Sequence, residues 1–461
     1  MKNSNDSDFS QGKVSSAVIR LGLPIMVAEL VHVLYNLVDR MYIGHIEGSG
    51  TLAMTGLGIA LPLITLINAF AQLCGQGGVP LSSIARGEKD LPKANAIMEN
   101  AFTLLITVGA VLSVLLYAVS PWALGLLGGD EETLPYALGY FRIYVLGTIP
   151  VMISLGMNSY INSQGFPKVG MITVIIGAAL NLILDPLFIF ALDMGVAGAA
   201  WATVISQTVS ALWVLRFLRG KKTLMRLDRL HLEWETVRSI LKLGVTGFCF
   251  KVTNSITAAV CNVTLKRWGG ELSTLYVGAM SVINSIREIT SLPTLGTISG
   301  SEPVMSYNYG AKKPERVAET IRFVMKLTLA FNLIIWAIVQ FFPEPLIRIF
   351  TPDEELIGLT ARCMRLYFAV FPFMTLQMTG QHTFVALNHP RHALFFSLLR
   401  KIGLVLPFTL LLPVLGMEAR GVFAAEALSQ LTGATACFLT MYLTIYRRLK
   451  RGEMLRAEGR G

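Results

Sequence analysis

Long apolar stretches recur down this chain, separated by short polar segments. They fall at 14–44, 51–78, 95–120, 133–162, 168–192, 195–218, 237–265, 272–304, 317–342, 357–387, 392–415 and 417–446. A helix that crosses a bilayer needs about 20 apolar residues, so each of the twelve stretches predicts one span. Pro24, Pro62, Pro150, Pro186, Pro293, Pro372 and Pro407 lie inside them. Within a bilayer such breaks survive only where neighbouring helices or a cavity satisfy the freed backbone groups.

Composition sharpens this reading. Hydrophobic residues make up 53% of the 461 positions and charged residues only 15%, against about 25% charged in soluble domains. The mean hydropathy is +0.58. A soluble multidomain enzyme is excluded, and an all-α polytopic membrane protein is expected. The net charge is 39 − 29 = +10, which in a soluble chain would suggest nucleic acid. Here the basic residues sit in short loops on one side: Arg86, Lys89 and Lys93; Lys168; Arg216 to Arg229; Lys312, Lys313 and Arg316; Arg391; and Arg447 to Arg451. The positive-inside rule then places both termini in the cytoplasm, and no nucleic-acid partner is expected. Met1 to Lys13 is polar, and the first stretch is too long for a signal peptide. Cys74, Cys249, Cys261, Cys363 and Cys437 are scattered through apolar stretches and form neither a C-x-x-C pair nor a zinc spacing.

The chain also repeats itself. At an offset of 223, Asp130-Glu131-Glu132 falls on Asp353-Glu354-Glu355, Arg142 and Tyr144 on Arg365 and Tyr367, Pro167-Lys168 on Pro390-Arg391, Gly198 on Gly421, and Ser206-Gln207 on Ser429-Gln430. This order predicts a duplicated six-helix bundle. Six spans return the chain to its starting side, so the two repeats are parallel, face each other across a central cleft, and suggest alternating access. The expected division is an N-terminal lobe over 1–218, a cytoplasmic linker over 219–236, a C-terminal lobe over 237–446 and a basic cytoplasmic tail over 447–461.

The halves differ in their intramembrane acids. Asp39, Asp185 and Glu29 fall on Asn262, Phe408 and Val252. An ionisable residue inside a span costs roughly 2.5–3.5 kcal/mol or more, and one half does without these acids, so the fold alone does not require them. Asp39 lies fifteen residues, about 22 Å of helix, after Pro24. Asp185 lies about 25 Å in from Lys168, and Thr203 about 12 Å from Gly195, so the three reach a similar depth. Asn181 is one turn before Asp185 on the same helix face. Two carboxylates with amide and hydroxyl oxygens in low dielectric suit a proton or a hard cation such as Na⁺. The plainer reading is an interhelical polar clamp.

Glu29, His32 and Asn36 share the first span with Asp39. They could meet a cationic substrate, or Glu29 could be a fixed partner of His32. Arg287 and Glu288 read as a structural ion pair with neighbouring helices, while Glu302, Glu426 and Lys251 carry no assigned role. No P-loop, H-E-x-x-H, G-x-S-x-G or dinucleotide fingerprint is present, so an ATP-driven pump of the P-loop type is not expected, nor an enzyme of those classes.

The run LGLPIMVAELVHVLYNLVDRMYIG around Pro24 and Asp39 is accompanied by NLILDPLFIF from Asn181 to Phe190. GVAGAAWAT follows from Gly195 to Thr203, and Tyr307-Asn308-Tyr309-Gly310-Ala311 precedes a basic loop. In order and spacing these resemble the multidrug and toxic compound extrusion family, in its bacterial MepA-like and DinF-like branch, from Ile19 to about Tyr446. The resemblance implies an antiporter that exports amphiphilic, often cationic, compounds in exchange for H⁺ or Na⁺, with no cofactor. It implies a monomer among membrane lipids in the cytoplasmic membrane of a bacterium. It also implies a cation site of Asp39, Asn158, Asn181, Asp185 and Thr203. If the ion is Na⁺, Asp39, Asn181, Asp185 and Thr203 would ligate it, and Pro24 would be the hinge of a first helix that bends. A lipid-linked oligosaccharide flippase of the same superfamily is the alternative.

Overall fold

A computed structural model describes residues 8–46 and 48–453, and among them every regular element is helical. In chain order the helices are α1 (Val14–Gly44), α2 (Gly50–Cys74), α3 (Val79–Gly87), α4 (Leu91–Leu126), α5 (Leu134–Leu146), α6 (Thr148–Ser163), α7 (Pro167–Pro186), α8 (Gly195–Leu218), α9 (Trp234–Trp268), α10 (Ser273–Gly310), α11 (Pro314–Phe341), α12 (Pro343–Arg348), α13 (Glu354–Tyr367), α14 (Met374–Ala386), α15 (Pro390–Leu398), α16 (Leu406–Leu412), α17 (Glu418–Ser429), α18 (Thr435–Met441) and α19 (Arg447–Lys450). A π-helical stretch, Leu399–Val405, joins α15 to α16.

The apolar pattern therefore becomes helix, with breaks that it did not announce. Seven helical stretches are long and apolar enough to span a bilayer. Two further pairs qualify as bent spans: α5 with α6, which turn by 59° at Gly147, and α13 with the helix that follows it, which turn by 47°. The expected stretch 51–78 continues through a tight 3-10 turn at Gln76–Gly78 into α3. From Pro390 to Lys450 the helix runs on except at Gly416 and Glu418, whose φ values of 94° and 49° mark the kink between two helices. The tail residues 454–461 and the first seven residues lie outside the described residues.

Two compact units divide the chain: Leu23–Phe248, and Phe9–Gly22 together with Cys249 onward. The boundaries differ from those expected at 219–236, for two reasons. First, the polar connection is bound to the first unit. Gln164 Oε1 accepts hydrogen bonds from Thr223 Oγ1 (2.7 Å), Leu224 N (2.9 Å) and Met225 N (2.7 Å). Glu99, Asn100 and Thr103 on α4 accept from Asp228 N, Glu233 N and His231 N. Met225 and Leu227 are buried. The segment is a strap rather than a free linker. Replacing Gln164 by leucine leaves the buried Met225 N–H unpaired, at about 1–3 kcal/mol, and frees the half-buried Leu224 N–H as well. Trypsin is then expected to cut at Lys221, Lys222 and Arg226 several-fold faster than in the wild type, read as fragment appearance on a gel.

Second, the start of the chain packs in the second unit. Phe9 is buried there, and its carbonyl accepts from Asn308 Nδ2 (3.0 Å) and Arg316 Nη2 (3.1 Å). Arg316 Nη1 also holds the Gly12 carbonyl, and Lys313 Nζ holds that of Ser10. The Tyr307–Ala311 motif and its basic loop thus anchor the N-terminal segment. Above this anchor α1 crosses α10 at glycines. A Cβ on Gly300 would lie 2.5 Å from Gly22 N, and one on Gly22 would lie 2.8 Å from Gly296 O. Helix α1 passes from one unit to the other between Gly22 and Leu23, directly before Pro24, and stays helical through that proline.

In the first unit a similar crossing brings α9 onto the end of α2. A Cβ on Gly244 would meet Leu73 O, and one on Gly77 would meet Ile240 O. Small residues allow such close approach where no side chain intervenes. The core of this unit is built from α2, α4, α5, α6 and α8 around Phe102, Leu105, Phe141, Met152 and Tyr160.

Candidate functional site: a buried carboxylate pair

Asp39 on α1 and Asp185 on α7 meet inside the first unit, each within hydrogen-bonding reach of the other. Asp185 is 1% exposed and Asp39 9%. Asn181 Nδ2 donates to Asp185 Oδ1 at 3.0 Å and lies 3.5 Å from Thr203 Oγ1. The Thr203 hydroxyl donates to the Ala199 carbonyl at 3.0 Å. That leaves lone pairs on Thr203 Oγ1 available beside the carboxylates. Asp39 Oδ1 and Asp185 Oδ2 are buried and have no hydrogen-bond partner.

Two unpartnered carboxylate oxygens on neighbouring acids in a buried site are costly unless something positive lies beside them. A proton shared by the pair removes one charge and turns a repulsion into a hydrogen bond. A hard monovalent cation would instead draw on carboxylate, amide and hydroxyl oxygens, the donor set gathered here. Among the described residues no three His, Cys, Asp or Glu side chains cluster to hold a metal.

Four of the expected residues, Asp39, Asn181, Asp185 and Thr203, are therefore brought together. Asn158 is not. Its Nδ2 donates to the Gly170 carbonyl (3.1 Å), and Gly170 lies eleven residues, about 16 Å of α7, from Asn181. The amide of Asn36 turns to His32 Nδ1 at 3.4 Å, and His32 sets its ring edge-on to Tyr35. Glu29, two turns and more before Asp39, is exposed. Pro24 lies fifteen residues before Asp39, outside the cluster.

The cluster has a rim that the sequence reading passed over. Tyr140 lies beside Thr203 and Tyr35 beside Gln207, whose Oε1 accepts from Ser154 Oγ at 2.6 Å. Tyr140 and Tyr144 stack at 6.1 Å. Their four-residue spacing on α5, and the match of Ser206-Gln207 and Tyr144 to their duplicates, were the signals available. Arg287 pairs with a neighbouring helix, as expected, through Glu426 on α17 at 3.0 Å; its neighbour Glu288 does not share that pair and is exposed, because adjacent helical positions face about 100° apart. Glu302 pairs with His382 at 3.2 Å.

An all-helical chain of membrane-spanning length, duplicated, with a carboxylate pair buried in one half, has the build of a secondary transporter. The MatE family model matches residues 24–187 and 252–411, once in each half, and the chain belongs to that family. It is similar to the multidrug export protein MepA of Staphylococcus saprophyticus, 23% identical over 98% of this chain and 97% of that one. MepA of Staphylococcus haemolyticus is 24% identical over 76% of each chain. Among solved structures, a multidrug resistance MATE family transporter in an outward-facing conformation superposes with a TM-score of 0.90 at 21% identity, covering 98% of this chain and 100% of that one. A MOP superfamily transporter from Pyrococcus furiosus, described as having a binding pocket of reversed polarity, gives 0.90 at 22% identity, over 98% and 100%.

Proposed function

We propose that this protein is a cation-coupled antiporter that exports amphiphilic, often cationic, compounds. It works as a monomer in the cytoplasmic membrane of a bacterium, with both termini in the cytoplasm. Two six-helix lobes over 1–218 and 237–446 exchange access between the two sides. The observation that carries the reading is the facing pair Asp39 and Asp185 with its two unpartnered oxygens. The export role of the named relatives supports the cargo class.

In this reading the pair is charged when empty and repels itself. A proton or Na⁺ arriving from outside relieves the repulsion, with Asn181 and Thr203 supplying neutral oxygens and a donor. Relief lets α1 and α7 draw together at Asp39 and Asp185. Because α1 contains Pro24, which has no N–H to donate to the Arg20 carbonyl and whose ring crowds that carbonyl, the turn ending at Pro24 is where α1 yields. Cargo and ion then favour different conformations, which is all that obligatory exchange requires.

The test is ethidium efflux from cells producing the wild type, with the Na⁺ and proton gradients collapsed separately. Efflux is expected to stop with one gradient and survive loss of the other, naming the ion. Efflux indifferent to both gradients would overturn coupling. Failure to move ethidium, alongside movement of a lipid-linked glycan in vesicles, would favour the flippase.

A further inference from the structure

The second unit contains a buried charge cluster that the proposed export cycle does not use. Glu426 Oε1 accepts from Arg400 Nη1 at 2.9 Å and from Arg287 Nη2 at 3.0 Å, and Oε2 lies 3.5 Å from Lys401 Nζ. Arg287 Nη1 donates to the Tyr367 hydroxyl at 2.5 Å. Arg400 and Lys401 are each 3% exposed and Glu426 5%. Three cations share one carboxylate, so the cluster carries an excess of 3 − 1 = 2 positive charges. The other acids nearest in sequence, Glu288 and Glu418, are exposed and make no ion pair with it.

We infer that Arg287, Arg400 and Lys401 form a binding site for a ligand carboxylate. Donors are to spare: among the described residues Arg400 uses only Nη1, and Lys401 has a single long contact. Spare donors on charged groups within a largely buried cluster can take an acceptor. Guanidinium forks match planar two-oxygen anions better than round ones, and Glu426 already demonstrates that a carboxylate fits between them. Arg287, whose side chain is 22% exposed, is the face by which a ligand enters. The cluster's place in the fold is a second argument. Glu426 is the duplicate of Thr203 and Tyr367 that of Tyr144 at the offset of 223, so the cations surround the position that in the first unit holds Thr203, beside the carboxylate pair. Arg400 and Lys401 also lie on the π-helical stretch Leu399–Val405, a distortion that recurs at functional sites. One half is built to attract a cation, and the other to attract an acid.

This inference does not rest on the export reading, and its test measures binding alone. Purified full-length protein in detergent is incubated with radiolabelled malonate, a small dicarboxylate, at fixed pH with chloride balancing ionic strength. Saturable binding is expected, weakened about tenfold or more by Arg400→Gln and by Lys401→Met, the change of one charge-assisted hydrogen bond. Lys251→Gln, an equal loss of charge elsewhere in the unit, leaves it unchanged. Glu426→Gln removes the internal competitor and tightens binding, which a merely structural network would not do. Cholate, competing at lower concentration than unlabelled malonate, would point to amphiphilic acids as the source of the carboxylate; the reverse order would point to small free acids. The inference is overturned if malonate does not bind saturably, or binds equally to wild type, Lys401→Met and Glu426→Gln. If Arg400→Gln does not fold, the last two variants still decide.

Discussion

Cells producing Asp39→Asn are expected to retain ethidium like cells without the protein, although the variant accumulates and elutes as the wild type does. Asparagine keeps the shape of the side chain but removes its charge, and its amide can donate to the unpartnered Asp185 Oδ2. The site then resembles its ion-loaded state permanently, and the gradient has nothing to act on. Coupling free energies of about 1–3 kcal/mol correspond to about 5–150-fold, so efflux should fall into that range or to background. Asp185→Asn should be as severe, because it too removes one of the two charges of the pair and leaves only a neutral amide oxygen to accept from Asn181. Thr203→Val, which deletes one neutral oxygen, should be milder. Asn158→Ala should export normally, since Asn158 bonds the Gly170 carbonyl away from the pair. The measurement is initial efflux rate per folded transporter. Wild-type rates in Asp39→Asn would sink the coupling assignment, and loss of export in Asn158→Ala would return that residue to the site.

The second large effect concerns folding. Gly300→Ala is expected to lower the melting temperature by several degrees or to prevent recovery of folded protein. A Cβ at Gly300 would press on Gly22 N and Cα and on the Val18 carbonyl, at 2.5, 2.6 and 2.9 Å. All three are backbone atoms, which cannot rotate aside as a side chain can. Overpacking of this kind costs about 1–3 kcal/mol and occasionally more. Gly358→Ala, also in a helix of the second unit but with nothing within 4 Å of the new methyl, should be neutral or stabilising by up to about 1 kcal/mol. Tryptophan fluorescence during heating in detergent reads both. Equal melting temperatures for the two alanine variants would show that α1 and α10 part easily.

The sequence alone made the helices, the duplication and the carboxylate pair legible, because each depends on local pattern. Runs of apolar residues specify helix in lipid, the offset of 223 exposes the repeat, and depth arithmetic brings Asp39, Asp185 and Thr203 to one level. What it did not reveal depends on contacts far apart in the chain. The cluster about Glu426 needed Arg287, Arg400 and Lys401 from two other helical stretches, and nothing in their spacing announces a shared partner. The strap over 222–233 looked like a linker because its polar composition hides the fact that Gln164 and Glu99 hold its backbone. Breaks at Gly147 and in the Gln76–Gly78 turn were invisible because lipid-facing composition does not change across them. Asn158 was assigned by resemblance, and helix register put its amide elsewhere.

The exchange of Phe9–Gly22 into the second unit sets a timetable for the growing polypeptide. Asn308, which holds the Phe9 carbonyl, is 299 residues further along. At about 5–20 residues per second, a ribosome needs about 15–60 s to make that distance. Through that interval Phe9–Gly22 has neither the glycines of α10 to cross nor Arg316 to fasten its carbonyls. A nascent chain arrested before Gly296 would hold α1 with its upstream end undocked. Docking of Phe9–Gly22 thus waits until α10 and Arg316 have been made.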